Sequence, residues 1–106
     1  MLDPQAQSLI QLLADNRVPA VNELPVDAAR LAYKDRRSYS QPLPPDVAEV
    51  KDLRISANGT SIGLRRFKPT RSQTAQPALV YFHGGGWTIG DLDTHDVLCR
   101  QLALAS

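Results

Sequence analysis

The sequence predicts an α/β chain with an incomplete sheet, and three observations carry that prediction. Ala78-Leu79-Val80-Tyr81-Phe82 is an unbroken apolar run, the pattern of a strand covered on both faces. It feeds directly into His83-Gly84-Gly85-Gly86-Trp87, and a helical pattern follows, so strand, loop and helix stand in α/β order. A strand of this kind needs parallel neighbours, yet the rest of the chain offers only one hairpin.

The elements follow in order. Asp3 can cap a helix whose first residue is Pro4, where a missing N–H costs nothing. Leu9, Ile10, Leu12 and Leu13 continue it as an apolar stripe, and Asn16 to Pro19 ends it. A second helix is expected from Pro25, with Ala28, Leu31, Ala32 and Tyr33 inward and Arg30, Lys34, Arg36 and Arg37 left to water. Gln41-Pro42-Leu43-Pro44-Pro45 reads as a stiff linker. It separates a helical part, residues 1–45, from a β-rich part, residues 46–106.

Leu53 and Ile55 alternate with polar residues, Asn58-Gly59 is a hairpin turn, and Ile62 and Leu64 alternate on the return strand until Pro69 stops it. Arg71 to Gln76 is a polar loop without periodicity. After the glycines, Asp93-Thr94-His95-Asp96 is expected to open a helix with Leu98, Leu102 and Ala105 on one face.

Composition excludes several functions. The 106 residues carry a net charge of +1 with acids and bases interspersed, so no nucleic-acid surface is expected. No apolar run reaches the ~18 residues of a membrane span. Met1-Leu2-Asp3-Pro4-Gln5 has neither the basic nor the apolar region of a secretory signal. The single Cys99 cannot form an internal disulfide, and a cytoplasmic location is expected. No cofactor is implied, and the oligomeric state is left open.

The glycine loop is where chemistry is expected. Glycine tolerates φ > 0 and lets backbone N–H groups converge on one point, the arrangement that stabilises an oxyanion. One glycine would satisfy a tight turn; three between His83 and Trp87 favour function. Phosphate-binding patterns fail on spacing. Ile89 stands where a Gly-x-Gly-x-x-Gly would need its last glycine, and Asp91 stands where a P-loop needs lysine. His83 is expected to hold the loop's shape rather than act as a base. Asp91, Asp93, His95 and Asp96 could be read as metal ligands, but capping and loop bracing are favoured, with Asp93 and Asp96 resembling a capping pair. Trp87 is read equally as a pocket wall or as packing on the sheet edge, Cys99 as an inert thiol, and Tyr33 and Tyr39 as packing residues. The chain is expected to carry no Gly-x-Ser-x-Gly nucleophile.

The stretch Leu79 to Trp87, joined to Gly90-Asp91-Leu92-Asp93-Thr94-His95-Asp96, resembles the hormone-sensitive lipase family of serine esterases, also called GDxG lipolytic enzymes. Leu64 to Pro69, the helix around Cys99 and the two N-terminal helices resemble further parts of that family. The resemblance implies the N-terminal portion of an α/β-hydrolase fold: cap helices, a β-hairpin, one buried strand, an oxyanion loop and one helix. It also implies cleavage of small-molecule carboxylic esters through an acyl-serine. The oxyanion hole would lie at Gly84, Gly85 and Gly86, with Gly85 and Gly86 donating. His83, Asp91, Thr94, His95 and Asp96 would brace the loop, and Trp87 would line the substrate pocket. The family's nucleophile, acid and base are expected outside this chain, so no catalytic triad is assigned to it, nor any metal. Two alternatives stand beside this reading: a non-catalytic small-molecule-binding relative of the same fold, and a small stand-alone interaction protein.

Overall fold

Asp3 starts the chain's first regular element, its Oδ1 accepting the Gln5 N–H at 2.8 Å. The computed structural model describes residues 2–106, which divide into two units: residues up to 42 with 84–94, and residues 43–83 with 95–106.

In the first unit, helix α1 (Pro4–Asp15) ends at Asn16, whose side-chain amide donates to the Leu12 carbonyl at 2.8 Å. A single 3₁₀ turn (Val21–Glu23) leads to α2 (Val26–Asp35), and the one-turn helix α3 (Arg37–Ser40) follows. The faces of α2 depart from the expected arrangement. Ala29 is its buried residue, at 2% exposure, while Leu31 is 61% exposed. Lys34, with Arg37 beyond the helix end, is not left to water but bonds residues 91–93, while Arg30 stays exposed as expected and also bonds residue 88. The physical reason is the neighbour. That face meets carbonyls and carboxylates, which only donors and cations can satisfy.

In the second unit, strands β1 (Glu49–Ala57) and β2 (Thr60–Lys68) form an antiparallel hairpin. Asn58 and Gly59 connect them at φ 51° and 76°, the positive pair that a two-residue turn requires to match strand twist. Leu53 opposes Leu64 and Ile55 opposes Ile62 on one face; Val50 opposes Phe67 and Asp52 opposes Arg65 on the other. Helix α4 (Asp96–Ala105) meets the second face. Arg65 bonds Asp52 through two nitrogens, at 2.7 and 3.0 Å, and reaches Asp96 at 3.1 Å. Asp96 also accepts from Arg100 at 2.6 Å, and the Arg100 guanidinium lies 5.8 Å from the Phe67 ring centre and donates to the Pro45 carbonyl.

Two further expectations are corrected. Helix α4 begins at Asp96 rather than Asp93, with His95 at the cap position but not capping through its side chain. Asp93 and Asp96 are therefore not a capping pair; Asp93 binds Lys34, and Asp96 binds Arg65 and Arg100. Residues 78–82 form no strand, and their backbone makes no hydrogen bond among the described residues. Leu79, Val80 and Phe82 stay 67%, 72% and 86% exposed. The run has the composition of a central strand but no neighbour to pair with, and the sheet stops at two strands.

An apolar run this exposed is an association hazard. In isolation the chain is expected to associate at rising concentration, seen by size exclusion, with weak hydrogen-exchange protection across residues 78–82. A compact monomer with a sharp thermal transition would contradict this. Arg65→Met, which strips Asp96 of one partner at a side chain only 15% exposed, is expected to loosen α4 by about 2 kcal/mol, read as faster amide exchange in that helix.

Candidate functional site

Gly85 and Gly86 lie at φ 140° and 58°, and Trp87 follows at 57°. Three consecutive positive values turn the chain sharply, and glycine is obligatory at the first. A Cβ on Gly85 would run into the Ile89 carbonyl oxygen. The turn closes when Thr88 N–H and Ile89 N–H both donate to the Gly85 carbonyl, at 3.1 and 3.0 Å. Neither Gly85 nor Gly86 spends its own N–H on a hydrogen bond among the described residues. A Cβ on Gly84 or Gly86 would meet nothing within 4 Å, so open space lies on that side of the loop. Trp87, fully exposed, holds a left-handed conformation that a bulky residue rarely adopts.

Beyond this turn, Asp91 and Thr94 lock to each other. The Thr94 N–H donates to Asp91 Oδ1 at 2.7 Å, the Asp91 N–H donates to Thr94 Oγ1 at 2.7 Å, and the Thr94 hydroxyl donates to the Asp91 carbonyl at 2.9 Å. Thr94 is 4% exposed, and this reciprocal set satisfies it there. Desolvation pushes the Asp91 carboxyl up, but the Thr94 backbone bond, Lys34 and the Thr94 hydroxyl together hold it below its ordinary 3.8. Lys34 binds Asp93 directly and Asp91 at 3.6 Å; the Asp93 bond foremost, then the charges of both carboxylates, hold its ammonium above the usual range.

Arg30 Nε donates to the Thr88 carbonyl at 2.8 Å, Arg37 Nη1 to the Asp93 carbonyl at 2.6 Å, and the Gln41 amide to the Thr94 carbonyl at 2.9 Å. The sequence pattern marks Arg30, Lys34 and Arg37 as solvent-facing and Gln41 as linker, not as partners of the loop. Their spacing is the signal that could have found them: positions 30, 34, 37 and 41 follow one helical face.

The remaining candidates lie in the second unit. The His83 and His95 rings stack with centres 5.0 Å apart and planes 19° from parallel, and Tyr81 approaches His95 at 6.0 Å. Asp96 serves the hairpin through Arg65. Burial and the nearby Asp96 carboxylate push the Cys99 thiol up, away from reactivity.

One literal Gly-x-Ser-x-Gly stands in the chain, Gly59-Thr60-Ser61-Ile62-Gly63, against the expectation that the pattern is absent. It sits on the hairpin. Ser61 pairs with Ser56 across the strands and accepts an Arg54 N–H at 3.4 Å. A nucleophile elbow needs a strand-to-helix turn and a nearby base; Ser61 lies inside β2, two residues after a β-turn.

Thr94→Val keeps the shape of the side chain but leaves the Asp91 N–H without its acceptor. It is expected to cost about 1–3 kcal/mol locally, seen as loss of amide protection at positions 91–94. The lowered Asp91 group stabilises the fold above its ordinary pKa, and that contribution disappears as pH falls through the lowered value. The Thr94 amide resonance is therefore expected to move only below about pH 3.8. A shift centred near neutrality would exclude Asp91 as the partner.

The chain is similar to several known proteins. Residues 79–106 match a family described as the alpha/beta hydrolase fold. The chain is 40% identical over 102 residues to a carboxylic ester hydrolase, LipN, of Mycobacterium tuberculosis, covering 93% of this chain and 26% of that protein. Among solved structures, an ester-hydrolase from the metagenome of Lake Arreo is 36% identical with a TM-score of 0.84, covering 97% of this chain and 34% of the other. A hyperthermophilic esterase from Pyrobaculum calidifontis is 31% identical with a TM-score of 0.83, covering 99% and 33%. The chain thus spans about a third or less of the length of the relatives it matches. In sequence and in fold, residues 79–106 match the α/β-hydrolase fold, and the chain as a whole is similar to about a third of these esterases.

Proposed function

We propose that this chain supplies the oxyanion loop of a carboxylic-ester hydrolase that works through an acyl-serine. The observation that carries the reading is the pair of unspent N–H groups at Gly85 and Gly86, on a turn that glycine alone permits. Negative charge develops on the carbonyl oxygen as a tetrahedral intermediate forms, and preorganised donors stabilise it without reorganising. Gly84, Gly85 and Gly86 form the hole, with Gly85 and Gly86 donating. His83, Asp91, Thr94, His95 and Asp96 brace the loop. Trp87, exposed beside the donors, lines the pocket for the ester.

Residues 1–45 act as cap and linker, and residues 46–106 open the catalytic core. The nucleophile, acid and base come from sequence outside this chain, since Ser61 is in the wrong structural setting. The relatives' names support an ester as the substrate class. No helix among the described residues is long and apolar enough to cross a membrane. A lone, partly buried Cys99 supports a reducing compartment, the cytoplasm.

Residues 1–106 alone are expected to show no turnover of p-nitrophenyl butyrate and no labelling by a fluorophosphonate, at Ser61 or elsewhere. Fused to the downstream two-thirds of the Lake Arreo ester-hydrolase, they are expected to turn the ester over. In that fusion Gly85→Ala forces the Ile89 carbonyl aside and misplaces a donor, with an expected loss of about 2.7–4 kcal/mol in transition-state stabilisation, read in kcat. A folded Gly85→Ala fusion with unchanged kcat would remove Gly85 from the oxyanion role.

A further inference from the structure

Four donors, Arg30 and Lys34 on α2, Arg37 on α3 and Gln41 just after it, meet the loop. They meet it in sequence register: position 30 bonds residue 88, position 34 bonds residues 91 and 93, position 37 bonds residue 93, and position 41 bonds residue 94. Three of the bonds go to backbone carbonyls rather than to side chains, so they set the orientation of peptide planes. Arg37 is itself held, its Nε donating to the Lys34 carbonyl at 2.9 Å.

The first of these bonds leads towards the glycines. Every peptide bond among the described residues is trans, so each C=O and the N–H that shares its plane point in opposite directions. Arg30 fixes the Thr88 carbonyl. The N–H of that same peptide unit belongs to Ile89, and it donates to the Gly85 carbonyl at 3.0 Å. The peptide unit carrying the Gly85 carbonyl also carries the Gly86 N–H. That N–H must therefore point away from the 88–89 turn. Two planar units thus connect the Arg30 guanidinium to the Gly86 N–H.

We propose that Arg30 is a positioning residue for the Gly86 N–H, acting through the Thr88–Ile89 and Gly85–Gly86 peptide units, while Lys34, Arg37 and Gln41 anchor the far end of the same loop. The catalytic consequence rests on the hydrolase reading. The geometric claim stands apart from it. Arg30, on α2, thereby sets the direction of a hydrogen-bond donor more than fifty positions along the chain.

The test uses the 106-residue chain, with ¹⁵N-labelled amides and hydrogen exchange read by mass spectrometry where concentration limits the spectra. In Arg30→Met, which keeps the apolar stem and removes the donors, Ile89 is expected to exchange roughly 2–10-fold faster, the effect of one lost hydrogen bond. The Gly86 amide resonance is expected to move as well. Arg30→Lys restores a donor and is expected to return both signals most of the way. Arg54→Met, on the hairpin, serves as control and is expected to leave both unchanged. Unchanged Ile89 exchange and Gly86 resonance in Arg30→Met would overturn the proposal. So would acceleration spread equally over β1, β2 and α4, which marks general unfolding. Should Arg30→Met unfold the chain, Arg30→Gln decides by the same two signals. Neither readout depends on ester turnover, so an inactive fusion with a responsive Gly86 would reject the hydrolase reading alone.

Discussion

Polar donors that meet backbone carbonyls hold the glycine loop, because the chain has almost no apolar interior to do so. Ala29 and Thr94 are its buried residues among those described. Loops normally owe their shape to the scaffold beneath them. Here much of that work falls to Arg30, Lys34, Arg37 and Gln41 and to the reciprocal Asp91–Thr94 bonds. Hydrogen bonds of this kind contribute only modestly to net stability, but they are directional. They therefore define a geometry well even where they stabilise little.

The second unit follows the same logic. Arg65 joins β1 to β2 through Asp52 and joins the hairpin to α4 through Asp96, while Arg100 ties Asp96 to the Phe67 ring and to the Pro45 carbonyl. Helix α4 therefore meets the charged face of the hairpin. The face with Leu53, Ile55, Ile62 and Leu64 stays largely open, as do residues 78–82. Both surfaces are apolar, and in the esterase relatives two-thirds or more of the chain lies outside the matching region.

Local signals in the sequence were read well where the deciding interaction is itself local. Asp3 and Pro4 start α1, Asn58-Gly59 turns the hairpin, and Pro69 lies just beyond the end of β2. The resemblance of residues 79–96 to serine esterases was legible for a different reason: close backbone approach demands consecutive glycines, and few other needs do. Where a distant partner decides, the reading failed. The helical pattern points Leu31 inward and Lys34 outward, as an apolar neighbour would require, whereas the neighbour is a row of acceptors. Residues 78–82 have strand composition, but a strand exists only with its neighbours. Asp93 has the composition of a cap, but its carboxylate is taken by Lys34 from another element, and the helix starts at Asp96. The Gly-x-Ser-x-Gly at positions 59–63 makes the converse point: a pattern without its strand-to-helix turn carries no chemistry.

Trp87 is the chain's single tryptophan, and it stands fully in water at the tip of the glycine loop. Tryptophan fluorescence, excited selectively over the three tyrosines, is thus a reporter on that loop. Unfolding of the helices or the hairpin leaves its environment nearly unchanged. Arrival of any apolar group over Gly85 and Gly86, whether a ligand's acyl chain or a covering segment, shifts its emission to the blue. The residue beside the candidate donors is therefore also a built-in optical label for whatever occupies them.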